Sequence, residues 1–405
     1  MEIQESSSRP NVIIFLIDDM GWKDAGFMGS SYYETPHMDR LAKSGILFRS
    51  AYANPNCAPS RASLMTGLYP PRHGIYTVGS PERGPADLRM LIPSANKTVL
   101  ETEHRTIAEM LKEAGYVCGH VGKWHLGEGA VTGPGGRGFD LNAGGIHKGQ
   151  PPAGYFSPYH IATLPDGPDE EYLTDRLTNE AVAFIEEHKE QPFFLYFAHY
   201  AVHKPLQAKP EMIRKYEQKP GQDGQNNPIY AAMVESTDES VGKMLDKLEE
   251  TGLTNRTFIL LASDNGGLAG YAADGIDSDE VTSQQPLRGG KGMLYEGGIR
   301  VPMVASWPGV IEPETTCDAP VSIIDFFPTI REAAGIREEA SAEVDGESLM
   351  PLCRGTGMLG RDCLFWHLPA YLDGRNGTWR SKPGAAMRWQ QFKLLEFFED
   401  GRLEL

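Results

Sequence analysis

The chain has 405 residues, 40% hydrophobic and 23% charged. That composition excludes wholesale disorder, and no apolar run reaches the roughly 18 residues of a membrane-spanning helix. With 55 acidic against 38 basic residues and a formal charge of −17, nucleic acid is excluded as a partner. An anionic substrate therefore needs a local cationic pocket or a metal ion.

The length suits one large α/β domain with a smaller one beside it. Five cysteines are too few for a disulfide framework. Met1 to Arg9 are polar and lack the apolar stretch of an export signal. Localisation is left open, periplasmic or secreted if a native leader has been removed. The stretch 401–405 stops inside a strand-like pattern and is read as a truncated end. The sequence assigns no oligomeric state.

In chain order, residues 12–17 form an apolar run read as a buried strand. Thr35-Pro36 supply the N-cap and first-turn proline of a helix that stops at Gly45. Helix 106–114 ends at Gly115 and feeds strand 116–121. Helix 173–188 feeds strand 193–198, and helix 230–250 feeds strand 258–262. Strand 301–306 and helix 325–334 follow. Repeated units of this kind predict a largely parallel sheet covered by helices on both faces. Stretches 127–168 and 266–298 are rich in Gly and Pro and read as ordered loops. Beyond Gly335 the pattern changes, and 363–367, 385–398 and 402–405 read as short antiparallel strands. The expected domains are 1–335, catalytic, and 336–405, a small C-terminal α+β subdomain.

In open α/β sheets, ligands sit beyond the carboxyl ends of the strands. Four apolar runs end there in reactive side chains: Asp18-Asp19, Lys123-Trp124-His125, His199 with His203, and Asp264-Asn265. Asp18, Asp19, Asp264 and Asn265 offer hard oxygen ligands suited to Ca²⁺ or Mg²⁺. An adjacent Asp pair can also be a solvated turn. Directly after a buried strand, however, its mutual repulsion calls for a cation.

The most specific feature is Cys57-Ala58-Pro59-Ser60-Arg61, running on through Ala62-Ser63-Leu64-Met65-Thr66-Gly67. It resembles the signature of the type I sulfatases, whose cysteine a separate maturation enzyme oxidises to formylglycine. The resemblance extends to Asp18-Asp19-Met20-Gly21, Gly122-Lys123-Trp124-His125-Leu126-Gly127, His203-Lys204-Pro205, Asp264-Asn265-Gly266-Gly267, Gly289-Gly290-Lys291-Gly292 and Glu296-Gly297-Gly298-Ile299-Arg300-Val301-Pro302. It thus spans nearly the whole chain in the family's order. It implies an alkaline phosphatase-like fold, with a large mixed, mostly parallel sheet sandwiched by helices.

The resemblance also implies the chemistry. The hydrated aldehyde from Cys57 carries two hydroxyls, one to attack sulfur and one to expel sulfate. Asp18, Asp19, Asp264, Asn265 and the modified Cys57 would hold Ca²⁺, with Mg²⁺ the lesser expectation. Arg61 would stabilise the hydrated aldehyde, and Lys123 and Lys291 would neutralise the sulfuryl oxygens. His125 would be the base for sulfate release, and His203, shared with Lys291, the acid toward the leaving alcohol. Each has a blander alternative: solvated lysines, structural histidines, and a surface ion pair for Arg61.

The implied activity is sulfuric ester hydrolysis on a sulfated carbohydrate or small molecule. The alternatives are an arylsulfatase, a formylglycine-dependent phosphonate monoester hydrolase or phosphodiesterase, and a non-catalytic sulfoglycan-binding protein. Tyr155, Phe156, Tyr159, His160, Tyr371 and Trp379 are read as loop residues suited to sugar rings. His147, Lys148, Arg288 and His367 are read as substrate contacts. Gly133-Pro134-Gly135-Gly136-Arg137-Gly138 fits a dinucleotide pattern but lacks the strand-turn-helix context and reads as a loop. Cys353 and Cys363 are either a disulfide or free thiols, Cys118 is an inert core thiol, and His199 packs near the site without acting in it.

Overall fold

The structure, a computed structural model, describes residues 9–337 and 344–405. The reading of Met1 to Arg9 thus lies, but for Arg9, outside the described residues. The first half runs β1 (Asn11–Ile17), α1 (Pro36–Lys43), β2 (Ile46–Phe48), β3 (Ala51–Tyr52), α2 (Cys57–Thr66), α3 (Pro70–His73), α4 (Ile107–Glu113), β4 (Val117–Gly122), α5 (Gly129–Thr132) and β5 (Leu141–Ala143). It continues through α6 (Leu173–His188), β6 (Phe193–Ala198), α7 (Pro210–Glu217), α8 (Pro228–Glu250), β7 (Thr257–Ser263), α9 (Glu296–Ile299), β8 (Met303–Ser306), β9 (Thr315–Cys317), β10 (Val321–Ser322), α10 (Phe326–Ala333) and α11 (Met350–Cys353). It closes with β11 (Cys363–Leu368), β12 (Leu372–Asp373), β13 (Trp379–Ser381), β14 (Gly384–Trp389), β15 (Phe392–Phe397) and β16 (Arg402–Glu404).

Eight strands make the main sheet in the order β5-β4-β6-β1-β7-β8-β2-β9. Only β8 runs against its neighbours, pairing antiparallel with β7 and β2. The expected mixed, mostly parallel sheet is therefore present. Its two-sided burial follows from the strand period of two. On β1, Ile13, Phe15 and Ile17 face one core with Leu173, Leu177, Tyr230 and Met244 of α6 and α8. Val12, Ile14 and Leu16 face the other with Ala62, Met65, Ile107, Leu111 and Phe326 of α2, α4 and α10. Each such apolar side chain contributes about 1.5–3 kcal/mol by leaving water.

Helix α4 starts where Thr106 suggested: its hydroxyl accepts from the Glu109 amide at 3.1 Å, and the Glu109 carboxylate accepts from the Thr106 amide at 2.8 Å. Such a reciprocal cap is worth about 1 kcal/mol. Thr35 differs from expectation. Its hydroxyl accepts from the Gly26 amide and donates to Asp39 instead of capping α1. The α1 amides of His37 and Met38 are satisfied by Asp238, which reaches over from α8.

A four-stranded antiparallel sheet, β11-β14-β15-β16, forms the C-terminal part. Stretch 385–398, expected as one strand, is a hairpin: Trp389 pairs with Phe392 across a tight turn at Gln390, where φ is +51°. Trp366, Leu368 and Leu395 seat this sheet, and Leu372 the neighbouring β12–β13 pair, on Tyr52, Leu294 and Ile299. The expected glycine-rich loop at 133–138 is instead a short 3₁₀ turn, Pro134–Arg137, with buried Arg137 bonded to the carbonyls of Leu100 and Glu101. All five cysteines are free, which resolves Cys353 and Cys363 as thiols.

Gly122 closes β4 with φ +98°, and a Cβ there would stand 1.9 Å from the Ala198 carbonyl oxygen. A side chain would wedge β4 from β6 just before Lys123. Gly122→Ala should cost about 1–3 kcal/mol as overpacking, plus left-handed strain. Thermal and denaturant melts check this, and an unchanged midpoint would refute it.

Candidate active site

Strand register brings the site together. Ile17 lies beside Ser263, Leu16 beside Ala198, and Ala198 beside Gly122. The residues after β1, β4, β6 and β7 therefore emerge at one level of one sheet edge. Asp18, Asp19, Lys123, Asp264 and Asn265 are all buried there, and Lys291 joins them from the loop before α9. Asp19 and His125 both sit at φ +63°. That is an uncommon conformation for residues with a side chain, and such strain tends to be held at functional positions.

Cys57 is the first residue of α2, and every side chain of that helix is buried. Ser60 staples the preceding turn, its hydroxyl accepting from the Asn54 amide at 3.0 Å. One helical turn on, Arg61 shares the face of Cys57. Arg61 is fully buried, so the surface ion pair is excluded. Its Nε donates to Asp264 at 2.9 Å and its Nη1 to the Lys123 carbonyl at 2.8 Å. It thus ties the helix to two of the four strand ends.

Three carboxylates and three cations meet in this floor. Lys123 bonds Asp18, and Lys291 Nζ lies 2.5 Å from Asp19 Oδ1. Burial alone would raise the Asp19 carboxyl, but Lys291, His203 and Lys123 overcome it and hold it well below the usual range. Asp264 goes the other way, to about 6, through burial and then repulsion from Asp18. Lys291 stays protonated: burial opposes its charge, but Asp19 outweighs it and raises it above the usual lysine range.

The same floor tests for a cation. Asp18, Cys57 and Asp264 present ligand atoms all within 4.8 Å of one another. Asp18 Oδ1, Asp19 Oδ2 and Asn265 Oδ1 are buried with no hydrogen-bond donor among the described residues. Burying an oxygen acceptor unsatisfied is costly, and a hard divalent ion is the partner such oxygens fit. The Cys57 thiol is raised by burial, against the lowering effect of Lys123 and Lys291. It is therefore a poor thiolate nucleophile, which agrees with a modified cysteine.

Two histidines overlook the floor. His125 Nδ1 lies 3.5 Å from Cys57 Sγ. Burial, then Lys123 and Arg61, hold its imidazole well below the usual range, so it is neutral. His203 Nδ1 lies 2.7 Å from the Lys204 carbonyl, leaving Nε2 toward Asp19 Oδ2 at 3.7 Å. His203 is also neutral, pushed down to about 3 by burial and then by Lys291. Above them opens a cleft of about 760 Å³, lined by Cys57, His125, His203 and Lys291 and rimmed by Arg83, Lys148, Lys204, Arg375 and Arg380. This is the local cationic pocket that an acidic chain needs to hold an anion.

Other expected contacts fall elsewhere. Tyr155 and Tyr159 are core residues whose hydroxyls bond backbone carbonyls; Phe156 packs on Tyr172, and His160 pairs with Asp166. None of the four lines the cleft, and neither do Tyr371 and Trp379, whose rings pack tilted against each other. Arg288 pairs with Asp274 and Glu404, and His367 lines a separate apolar groove near Tyr69. His147 does not line the cleft, though its ring lies 6.4 Å from that of His125; of the four proposed substrate contacts, Lys148 alone is on the rim. His199 bonds Ser240 and stacks on Phe197, away from the floor. Missed in the sequence were Arg83, Arg375 and Arg380, whose only signal is their charge within an acidic chain.

Known proteins share this arrangement of sequence and fold. The sulfatase family model matches residues 10–336, and the model for the C-terminal part of N-sulphoglucosamine sulphohydrolase matches residues 290–404. A sulfatase of Formosa agariphila is 31% identical over 99% of this chain and 83% of its own length. N-acetylgalactosamine-6-sulfatase of Mus musculus is 35% identical over 88% of this chain and 68% of its own length. The crystal structure of Ps i-CgsB in complex with k-i-k-neocarrahexaose has a TM-score of 0.76 at 32% identity, over 96% of this chain and 84% of that one. The family in general implies formylglycine and a divalent metal, and the residues around Cys57 fit both. The chain belongs to the sulfatase family and is a sulfuric ester hydrolase.

Proposed function

We propose that the chain releases inorganic sulfate from a sulfated carbohydrate. The observation that carries this is the buried floor of Cys57, carboxylates and cations under an open cationic cleft. N-acetylgalactosamine-6-sulfatase and the neocarrahexaose complex among its relatives support a sugar substrate. The catalytic unit is assigned to 1–335. The subdomain 336–405 lends Asp373, Arg375 and Arg380 to the cleft wall.

Formylglycine from Cys57 would supply the attacking oxygen, and Ca²⁺ held by Asp18, Asp19, Asp264 and Asn265 would polarise a sulfate oxygen. Mg²⁺ fits these hard donors less well, because it demands a tighter octahedral shell. Lys123 and Lys291 neutralise the sulfuryl oxygens. Arg61 acts through its contacts, holding Asp264 and the Lys123 backbone in place. His125, neutral and beside Cys57, accepts a proton during sulfate release. With its Nδ1 proton held on the Lys204 carbonyl, His203 must take up a second proton at Nε2 as substrate binds, and it delivers that proton to the leaving oxygen. The anionic sulfate offsets Lys291, whose charge depresses His203, and Lys291 itself is a second proton source. The maturation enzyme must reach Cys57 before α2 docks, since the residue is only 2% exposed.

Turnover of an aryl sulfate, an aryl phosphonate and a phosphate diester tests the reaction class. The sulfate should be fastest, and a phosphonate preference would overturn the reading. The metal is tested by Asp264→Ala and by Asn265→Ala, which spares the Arg61 pair. Outer-shell changes alone cost about 10–100-fold in metal affinity, so both variants should lose bound Ca²⁺ and sulfate release together. Full occupancy and full rate in both would refute the ligand set.

A further inference from the structure

Several cations in the cleft and its floor are already paired. Lys123 and Lys291 bond Asp18 and Asp19, and Lys204 and Arg375 share Asp279 at 2.7 and 2.6 Å. Lys148 is exposed. Arg83 and Arg380 differ. Both are half-buried on the cleft wall, and among the described residues neither has a carboxylate at ion-pair distance. Burial first, then the charge of Arg380, lowers Arg83, only partly offset by exposed Asp373. Two like charges kept partly desolvated and unpaired are costly without an anion to meet them.

Their positions are built by long-range contacts. Arg83 lies on the segment after Val78, whose carbonyl it bonds. The amide of Tyr371 donates to the Pro81 carbonyl at 2.8 Å, which docks that segment on the β12–β13 hairpin. Gly84 makes the contact possible, since a Cβ there would stand 2.6 Å from the Trp379 ring. Arg380, on β13, donates to the Asp373 carbonyl at 3.2 Å. Its guanidinium lies 5.9 Å from the Tyr271 ring, and the Tyr271 hydroxyl bonds the Lys291 carbonyl at 2.7 Å. One aromatic ring thus separates this arginine from the backbone of the sulfate-binding lysine.

We propose that Arg83 and Arg380 form a second oxyanion site, which selects carbohydrates bearing a further anionic group on the sugar next to the scissile sulfate. This rests on the sulfatase reading and names the substrate class more narrowly. A guanidinium fork matches two oxygens of a sulfate or carboxylate, as a lysine does not. The cleft, at about 760 Å³, is in the range that encloses a ligand larger than one sugar ring.

The test uses matured enzyme and three oligosaccharides that share one scissile sulfate. One has a neutral neighbouring sugar, one a second sulfate there, and one a carboxylate. For wild type, kcat/KM should be about 10–100-fold higher on at least one dianionic substrate than on the monoanionic one, the scale of a charge-assisted contact. The favoured dianion identifies the group as sulfate or carboxylate. In Arg83→Gln and Arg380→Gln that ratio should fall toward one, while Arg380→Lys, with charge but no fork, should keep an intermediate ratio. A wild-type ratio near one overturns the proposal, and so does an equal loss on all three substrates in the variants. If wild type cleaves none of the three, the proposed function itself fails, and this inference with it.

Discussion

Cys57→Ala should reduce sulfate release to background, a loss on the order of 10⁶-fold if it resembles removal of the nucleophile from other hydrolases. The argument is electrostatic and structural. Burial raises the thiol despite Lys123 and Lys291, so the unmodified residue is a protonated thiol. A thiol also offers one nucleophilic atom where the proposed cycle uses two oxygens on one carbon. The substitution disturbs little else, because among the described residues the sulfur's one hydrogen-bond contact is the 3.5 Å approach to His125. The variant should therefore melt close to wild type, which separates lost chemistry from lost fold. Mass spectrometry of the peptide containing Cys57, from active protein, should show the aldehyde or its hydrate. Activity that tracks the plain thiol would refute this role.

The floor of the site was legible because it follows from a local rule. Apolar runs such as 12–17 announce buried strands, and polar residues at their carboxyl ends must emerge at the same edge once the strands align. The observed register between Ile17 and Ser263 supplies that alignment. The helix beginning at Cys57 was legible through its motif. The cleft wall was not. Arg83 and Arg380 are nearly 300 positions apart, and no local pattern says that Tyr371 will bond Pro81. The aromatic residues misled for a related reason. A tyrosine in a glycine-rich stretch looks like a surface platform. Tyr155, however, is buried and satisfies its hydroxyl on the carbonyls of Tyr200 and His203, so it shapes the backbone under the site. Thr35 suited an N-cap, but a tertiary partner, Asp238, took that task.

The two histidines should separate by leaving group. His203 presents Nε2 on the cleft side while Nδ1 is held against the Lys204 carbonyl. A proton donor there matters in proportion to the basicity of the departing oxygen. Nitrophenolate leaves without help, whereas a sugar alkoxide does not. His203→Ala should therefore lose about 10²–10⁴-fold on a sugar sulfate, the usual worth of general acid catalysis, and much less on nitrophenyl sulfate. Lys291, protonated and close by, sets how far the sugar rate can fall, and a further drop in a double variant would reveal its share. His125 faces Cys57 instead, so its loss should slow sulfate release whatever alcohol has left. Rapid mixing of His125→Ala with nitrophenyl sulfate should give a burst of nitrophenol near one equivalent, with free sulfate lagging behind. Equal losses of His203→Ala on both substrates would remove its acid role, and His125→Ala without a burst would remove its base role. Either result would leave the family membership standing, because that rests on the whole chain and not on the division of labour between two imidazoles.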